Sequence, residues 1–155
     1  MGVVWGTRAK LGPTTKNQGD PSQTNRFTLE IDGLLVGGVN SIEGLEHEHE
    51  IIEFMDGDDI DTHYRPGRKK PGRVKITRDF SATREFMDWR KTVLEGKVQR
   101  KSVSIVILSD DSTEAVRYNL FEAWPTKWIG PTLNSRNSSN ATESIELAFE
   151  TMEMK

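Results

Sequence analysis

Two histidines separated by one residue form the densest cluster of potential metal ligands in the sequence. His47 and His49 are interleaved with glutamates across positions 46–50, and the third histidine, His63, is distant in sequence. In a β-strand, residues two apart share a face, so both imidazoles can reach one metal ion, as in a metal hydrolase. A solvated strand with charged residues explains the same pattern more simply. We therefore predict no metal site and no cofactor.

The segment 56–72 is acidic in its first half and basic in its second half. The aspartates lack the alternate spacing, glycine and closing glutamate of a calcium loop. Pro-Gly pairs at 66–67 and 71–72 predict a long loop, and long loops in small domains are usually functional. Because one segment carries both signs of charge, it suits contact with another copy of the chain. The predicted subunit interface is Asp56, Asp58, Asp59, Asp61, Arg65, Arg68, Lys69, Lys70 and Arg73.

Signatures of catalysis are missing from the sequence. The chain has no cysteine, which excludes thiol catalysis, disulfides and cysteine metal sites. The Gly37-Gly38 pair lacks the spacing and the lysine of a phosphate loop, and there is no Gly-x-Ser-x-Gly elbow. We predict that the protein is not an enzyme and has no catalytic residues.

A net charge of -3, together with basic residues that no aromatic side chains interleave, argues against specific nucleic-acid recognition. Trp124 and Trp128 flank Pro125 and present a different kind of candidate site. An aromatic pair can stack on a ligand such as a sugar, although it more often caps a core or fills a subunit contact. A monomeric β-sandwich module that binds a ligand through Trp124 and Trp128 is therefore the alternative function.

The composition is that of a single domain with a lean core. The chain has 155 residues, of which 34% are hydrophobic, a low share for a globular domain. Part of the packing is therefore expected to be completed by a partner. No apolar run is long enough to cross a membrane, so we predict no membrane anchor. Residues 1–20 lack a charged-then-apolar signal pattern, so export through the Sec pathway is not expected.

Residues 1–23 are polar and rich in Gly, Thr, Pro, Asn and Gln, and we predict a flexible N-terminal arm there. Residues 24–155 form the predicted domain. Most of its segments alternate between apolar and polar residues with a period of two, which predicts β-strands. We expect an antiparallel β-sandwich or barrel with one helix. The strands are predicted at 27–31, 34–36, 44–55, 73–78, 103–108, 115–124 and 145–152, with a hairpin turn at Asp32-Gly33.

One helix is predicted at about residues 82–95. Phe86, Trp89 and Val93 are spaced as one apolar stripe on a helix. Ser81 or Thr83 suits the N-cap position, and Gly96 is placed to end the helix. The Trp124-Pro125 pair is expected to break the strand that precedes it.

Several segments, in order along the chain, resemble the contractile-phage tail tube family. The similarity covers about residues 27–153, and the stretch from Ala123 to Asn134 is its most specific part. One such segment would be weak evidence, but this many in the same order is strong evidence. The matching segments are 27–33, 44–46, 52–54, 65–68, the helix with Trp89, 104–108, 123–134 and 143–150.

The resemblance implies a structural inner tube subunit of a contractile injection system or a phage tail. Members of this family form hexameric rings that stack into a hollow tube inside a contractile sheath. Implied partners are other copies of the chain, the sheath, the baseplate or spike, and tube-terminating proteins. The lumen conducts cargo, either an effector protein or DNA, and the particle is a virion or an extracellular or membrane-anchored injection particle.

A tube subunit needs a polar surface that faces the lumen and an element that projects to the next ring. The strand from Ser144 to Glu153 has one glutamate-rich face, so Glu146 and Glu150 are the predicted lumen or wall residues. The bipolar segment 56–72 is the predicted ring-to-ring contact, because its acidic and basic halves can pair between unlike surfaces of two copies.

Overall fold

The computed structural model describes residues 26–80, 84–136 and 140–155. The predicted arm at 1–23 and the two predicted capping residues, Ser81 and Thr83, lie outside the described residues. The described elements, in chain order, are β1 (Phe27–Ile31), β2 (Leu34–Val36), β3 (Val39–Glu46), β4 (His49–Phe54), β5 (His63–Lys69), β6 (Gly72–Asp79), α1 (Glu85–Leu94), β7 (Lys101–Leu108), β8 (Glu114–Ile129), β9 (Thr142–Phe149) and β10 (Thr151–Met154).

Two antiparallel sheets share the long strand β8. The first sheet has the strand order β2-β1-β7-β8, with β10 also paired to β8, and the second has the order β8-β9-β6-β3. The first half of β8 pairs with β7, and its second half pairs with β9. The predicted antiparallel β-sandwich with one helix is confirmed. Within the described residues, no helix combines the length and apolarity that crossing a membrane requires.

The core lies between the two sheets. On β6 the buried residues alternate with more exposed ones. Strand β9 is buried at most of its positions and supplies Ile145, Leu147 and Phe149 to the core. The helix contributes Phe86 and Trp89, which are 1% and 3% exposed. The indole N–H of Trp89 donates to the carbonyl of Gln99 at 2.7 Å. This polar link allows a tryptophan to be buried at the edge of the core.

The predicted hairpin and helix are both present. Asp32 and Gly33 have φ angles of 51° and 77°, which is the backbone of a tight hairpin turn between β1 and β2. The helix ends at Leu94, and Gly96 follows it with a φ angle of 74°. Arg84 lies at the N-cap position and its side chain makes no capping hydrogen bond.

Strand β8 continues through the predicted break at Trp124-Pro125. Glu122 has a φ angle of 56°, and the register of pairing with β9 shifts between Pro125 and Lys127. These two irregularities bend the strand so that it passes from one sheet to the other. Pro125 is tolerated because this half of β8 has a strand neighbour on one side only in residues 26–80, 84–136 and 140–155.

Two further predictions, both between residues 44 and 72, are wrong. The predicted strand 44–55 is divided into β3 and β4, because a register shift between Glu43 and Glu46 precedes the point where the chain leaves the second sheet. The predicted loop 56–72 contains strand β5, which pairs with β4. The prolines and glycines did not prevent this strand, because it lies in an exposed ribbon that has two strands in the described structure.

The last predicted strand is also divided. Strand β9 ends at Phe149 and β10 begins at Thr151. Phe149 and Met152 both contact the core, although an unbroken alternation would put them on opposite faces. Glu150 lies at the break between these two strands.

Candidate functional site

The predicted interface segment contains β5, which pairs with the preceding strand β4 in a two-stranded ribbon that forms its own small sheet. Every residue of β4 is exposed, and β5 is exposed at all positions except Gly67. The ribbon leaves the second sheet between β3 and β6. A two-stranded ribbon with no layer packed on it is marginally stable in water. The sequence therefore encodes a ribbon that requires a neighbour.

The charged residues of the segment are separated along the ribbon. The four aspartates lie in the connection 55–62, at the tip, and Arg68, Lys69 and Lys70 lie near the root. Strand β5 has 7 residues and spans about 20 Å, which separates the acidic tip from the basic root. Arg65 lies on β5 between them, while Arg73 lies on β6 and belongs to the second sheet. All the predicted interface residues except Arg73 therefore belong to the ribbon, with the acidic and basic groups at opposite ends of it.

The ribbon also exposes apolar side chains that the sequence analysis did not assign to the interface. Ile51 is 74% exposed and Tyr64 is 64% exposed, and both share one face with Pro66. Phe54 lies on the other face, where its ring is 5.6 Å from the ring of His63. Exposed apolar clusters of this kind mark contact surfaces. The signal available in the sequence was the presence of Ile51, Ile52 and Phe54 in a strongly charged segment.

The histidines do not form a recognisable metal centre. The rings of His47 and His49 are 6.1 Å apart. His63 lies at the ribbon tip and contacts Asp59 instead, with Nε2 and Oδ2 at 2.6 Å. Across residues 26–80, 84–136 and 140–155, no group of three or more His, Asp or Glu side chains is arranged to hold a metal ion.

The outward face of the second sheet carries a row of four charges of alternating sign, which we call the charge row. Strand register places Glu43 of β3 opposite Lys75 of β6, Lys75 opposite Glu146 of β9, and Glu146 opposite Lys127 of β8. Residues directly opposite in a sheet share a face. The predicted wall residue Glu146 is thus in the middle of this face. The other three were missed, because register between distant strands is not visible in the sequence.

Glu150 does not join Glu146 on this face. It lies between β9 and β10, where its Oε1 is 2.7 Å from Nη1 of Arg100. Of the two predicted wall residues, the structure therefore places only Glu146 on the outward face of the second sheet.

The second sheet is open at both edges. Among the described residues, strand β3 pairs with β6 alone, and residues 124–129 of β8 pair with β9 alone. Arg90 of the helix reaches the Pro125 carbonyl at 3.5 Å. Open strand edges carry unpaired backbone donors and acceptors, which are a template for pairing with another chain.

The two tryptophans lie on opposite faces of the second sheet. Trp124 is opposite Ala148, and Trp128 is opposite Ile145. Since positions 145 and 148 differ by an odd number, they point to opposite faces. The Trp128 indole N–H donates to Glu143 at 3.2 Å, whereas Trp124 lines an outward cavity of about 640 Å³. The pair therefore cannot stack on one ligand.

The perturbed pKa values lie elsewhere, around the turn between β7 and β8. Hydrogen bonds from Ser109 and Thr113 lower the pKa of Asp111 to about 2. The side chain of Arg117 lowers the pKa of Glu114, and the Glu114 hydrogen bond, followed by that of Glu30, raises the pKa of Arg117. The hydrogen bonds that cause these shifts stabilise a turn and a strand face on the surface.

Chains of contractile injection systems share this fold. A chain of the extended sheath–tube complex of the PVC extracellular contractile injection system has a TM-score of 0.78 and 22% identity, covering 88% of this chain and 92% of that one. A chain of the anti-feeding prophage tube-terminating cap has a TM-score of 0.78 and 21% identity, covering 87% and 91%. Hcp1 from Flavobacterium johnsoniae has a TM-score of 0.52 and 17% identity, covering 83% and 94%.

The match to a family model is more specific than these likenesses of fold. No curated protein sequence matches the chain. The model of the T4-like virus tail tube protein gp19 matches residues 23–153, which is most of the chain. The extended β-ribbon and the open-edged sheet lie within that range. The protein therefore belongs to the T4-like virus tail tube protein gp19 family and is a structural tube subunit.

Proposed function

We propose that copies of this chain form hexameric rings, which stack into a hollow tube that conducts an effector protein or DNA when a surrounding sheath contracts. The observation that carries this proposal is the second sheet, which has two open edges and one polar outward face. Pairing its edges between copies closes the sheet into a continuous wall and removes the exposed edges. Family membership supports the same role.

The outward face of the second sheet is assigned to the lumen. Its middle positions are occupied by the charge row, and the next row pairs the hydroxyls of Thr77 and Ser144 at 2.9 Å. The balanced charges of this row keep the middle of the face hydrated, although Trp124 lies on the same face. Glu146 is therefore proposed as a lumen residue. Glu150 is not included, because it pairs with Arg100 at the end of β9.

The β4–β5 ribbon is assigned to the contact between successive rings. Its acidic tip and basic root are complementary, so that the tip from one ring can meet the root in the next. Each exposed ion pair contributes only about 0–1 kcal/mol, but the contact is repeated around the ring. The exposed face with Ile51, Tyr64 and Pro66 adds apolar burial to the same contact.

Partners and location follow from the tube. The sheath, the baseplate or spike and a terminating cap are the proposed partners, supported by the occurrence of the fold in a sheath–tube complex and in a tube-terminating cap. The tube is proposed to assemble in the bacterial cytoplasm and to act in a virion or an injection particle. The subunit needs no catalytic activity for this role.

The test is electron microscopy of the purified full-length protein, alone and with its baseplate and sheath. We expect rings or tubes of uniform bore in negative stain, and a matching fast-sedimenting species. A compact monomer at high concentration, also in the presence of baseplate and sheath, would contradict the proposal. The ligand-binding alternative gains no support from the geometry, because Trp124 and Trp128 face opposite sides of the sheet.

A further inference from the structure

We propose that Lys127 at one edge of the second sheet pairs with Glu43 of the neighbouring copy, so that the charge row continues from subunit to subunit around the lumen. The inference rests on the proposed ring. It goes further by naming the two residues that meet, the direction of the contact and the register of the joined strands.

The ends of the charge row coincide with the two open edges. Glu43 lies on β3, and Lys127 lies on the part of β8 whose one strand partner within the described part of the chain is β9. Both side chains are exposed. The row therefore begins with a carboxylate at one edge and ends with an ammonium group at the other.

The strand directions allow these edges to pair. The second sheet has the order β8-β9-β6-β3, and each neighbouring pair is antiparallel. Four alternating strands leave β8 and β3 running in opposite directions. When β8 of one copy is placed beside β3 of the next, the new pair is again antiparallel, so the alternation of direction continues across the subunit boundary.

The signs of charge select this contact over a two-fold one. Pairing β3 with β3 would bring two copies of Glu43 together, and pairing β8 with β8 would bring two copies of Lys127 together. Like charges directly opposite in a sheet are destabilising. Pairing β8 with β3 instead places Lys127 opposite Glu43. Such a contact between unlike surfaces closes into a ring when the rotation permits.

The end charges are available for this contact. Among the described residues, Lys127 takes part in no ion pair of 4.0 Å or less, and the Glu43 carboxylate accepts one hydrogen bond, from Ser41 at 3.3 Å. Within the subunit, each interior charge of the row has an opposite charge on both sides, whereas each end charge has one on one side only. A neighbouring copy supplies the missing side. A slip of one residue would turn the joined strand's polar face inward, so the register is defined as well.

The test uses two charge reversals in the full-length protein, Lys127→Glu and Glu43→Lys. Each variant alone should assemble at least about tenfold less than the wild type, because every contact in its ring then opposes like charges. An equal mixture should assemble close to the wild-type level. In an alternating ring, Glu at position 127 of one variant meets Lys at position 43 of the other, and Lys127 of the second meets Glu43 of the first.

Comparing the mixture with the separate variants distinguishes a lost contact between subunits from damage within each subunit. Each reversal also places like charges next to each other inside its own subunit, but this defect is the same in the separate variants and in the mixture. Lys97→Glu and Asp110→Lys are the control reversals, since both residues are exposed and lie outside the second sheet. The controls should assemble as the wild type does. Assembly is measured by sedimentation and microscopy, and folding by circular dichroism.

Each outcome bears on the inference. It is overturned if either reversal assembles normally, or if the mixture assembles no better than the separate variants while the wild type forms rings. If the wild type forms no rings under any condition, the proposed function itself fails, and this inference with it. Should a reversal fail to fold, Lys127→Gln and Glu43→Gln replace the pair, and both must then reduce assembly and its sensitivity to salt.

Discussion

Nε of Arg78 lies 2.6 Å from Oε1 of Glu143, and both side chains are 3% exposed. The guanidinium of Arg78 also lies 3.8 Å from the ring centre of Phe86, and its Nη1 is 3.2 Å from Oε2 of Glu85. This buried ion pair joins β6 and β9 to the helix. It therefore links the second sheet, which carries the proposed lumen face, to helix α1, which contributes Phe86 and Trp89 to the core.

Glu143→Ala should lower the free energy of unfolding by about 3–5 kcal/mol, because it removes the buried carboxylate that pairs with Arg78 and accepts the indole N–H of Trp128. Urea unfolding followed by circular dichroism measures the loss. Glu85→Ala is the matched control, since Glu85 contacts the same arginine but is 65% exposed; it should cost about 0–1 kcal/mol. Equal losses for the two variants would contradict a special role of the buried pair.

Replacing Asp58, Asp59 and Asp61 with lysine should weaken ring stacking more than folding. The three residues lie at the exposed ribbon tip, so the subunit core is unaffected, while the complementarity between tip and root is lost. Tube length and its sensitivity to salt are measured by microscopy, with thermal unfolding as the measure of folding. A control with Asp110→Lys and Glu153→Lys, at exposed sites on or beside the first sheet, should leave tube length unchanged. Unchanged length and salt sensitivity in the tip variant would count against the ribbon as the stacking element.

Acid should selectively remove the contribution of Asp111 to stability. Hydrogen bonds from Ser109 and Thr113 lower the pKa of Asp111 from 3.8 to about 2 in the folded protein. Because the folded pKa lies below the unfolded value, the stabilisation is present above the unfolded pKa and is lost as pH falls from near 3.8 towards 2. The difference in urea midpoint between the wild type and Asp111→Asn should therefore shrink over that window. Asp110→Asn is the control, and a difference that does not change with pH would exclude this cause.

Deleting residues 1–23 should leave the domain folded. The prediction follows from the polar composition of this segment and from the position of β1, which begins at Phe27. Circular dichroism of the shortened protein should retain the strand and helix signals. A large loss of either signal would show that the arm is part of the domain.

The elements that depend on local chemistry were predictable from the sequence. The Asp32-Gly33 turn, the helix ended by Gly96 and the alternation of β6 all reflect properties of adjacent residues, and each is present. The loop assigned to 56–72 was wrong because prolines and glycines were interpreted as breaks, whereas pairing of β5 with β4 outweighs their local preference. Strand β8 likewise continues past Pro125, because its pairing with β9 outweighs the local preference of the proline.

Periodicity, composition and ordered motifs were enough to predict the class of fold, the family and the bipolar segment. Which charges meet depends instead on how the strands pair in three dimensions. Glu43, Lys75, Glu146 and Lys127 are far apart in the chain and become neighbours through strand register. Trp124 and Trp128 are close in the chain and are separated by the faces of the sheet. Register is a property of the whole sheet, set by core packing and bulges, and local sequence does not contain it.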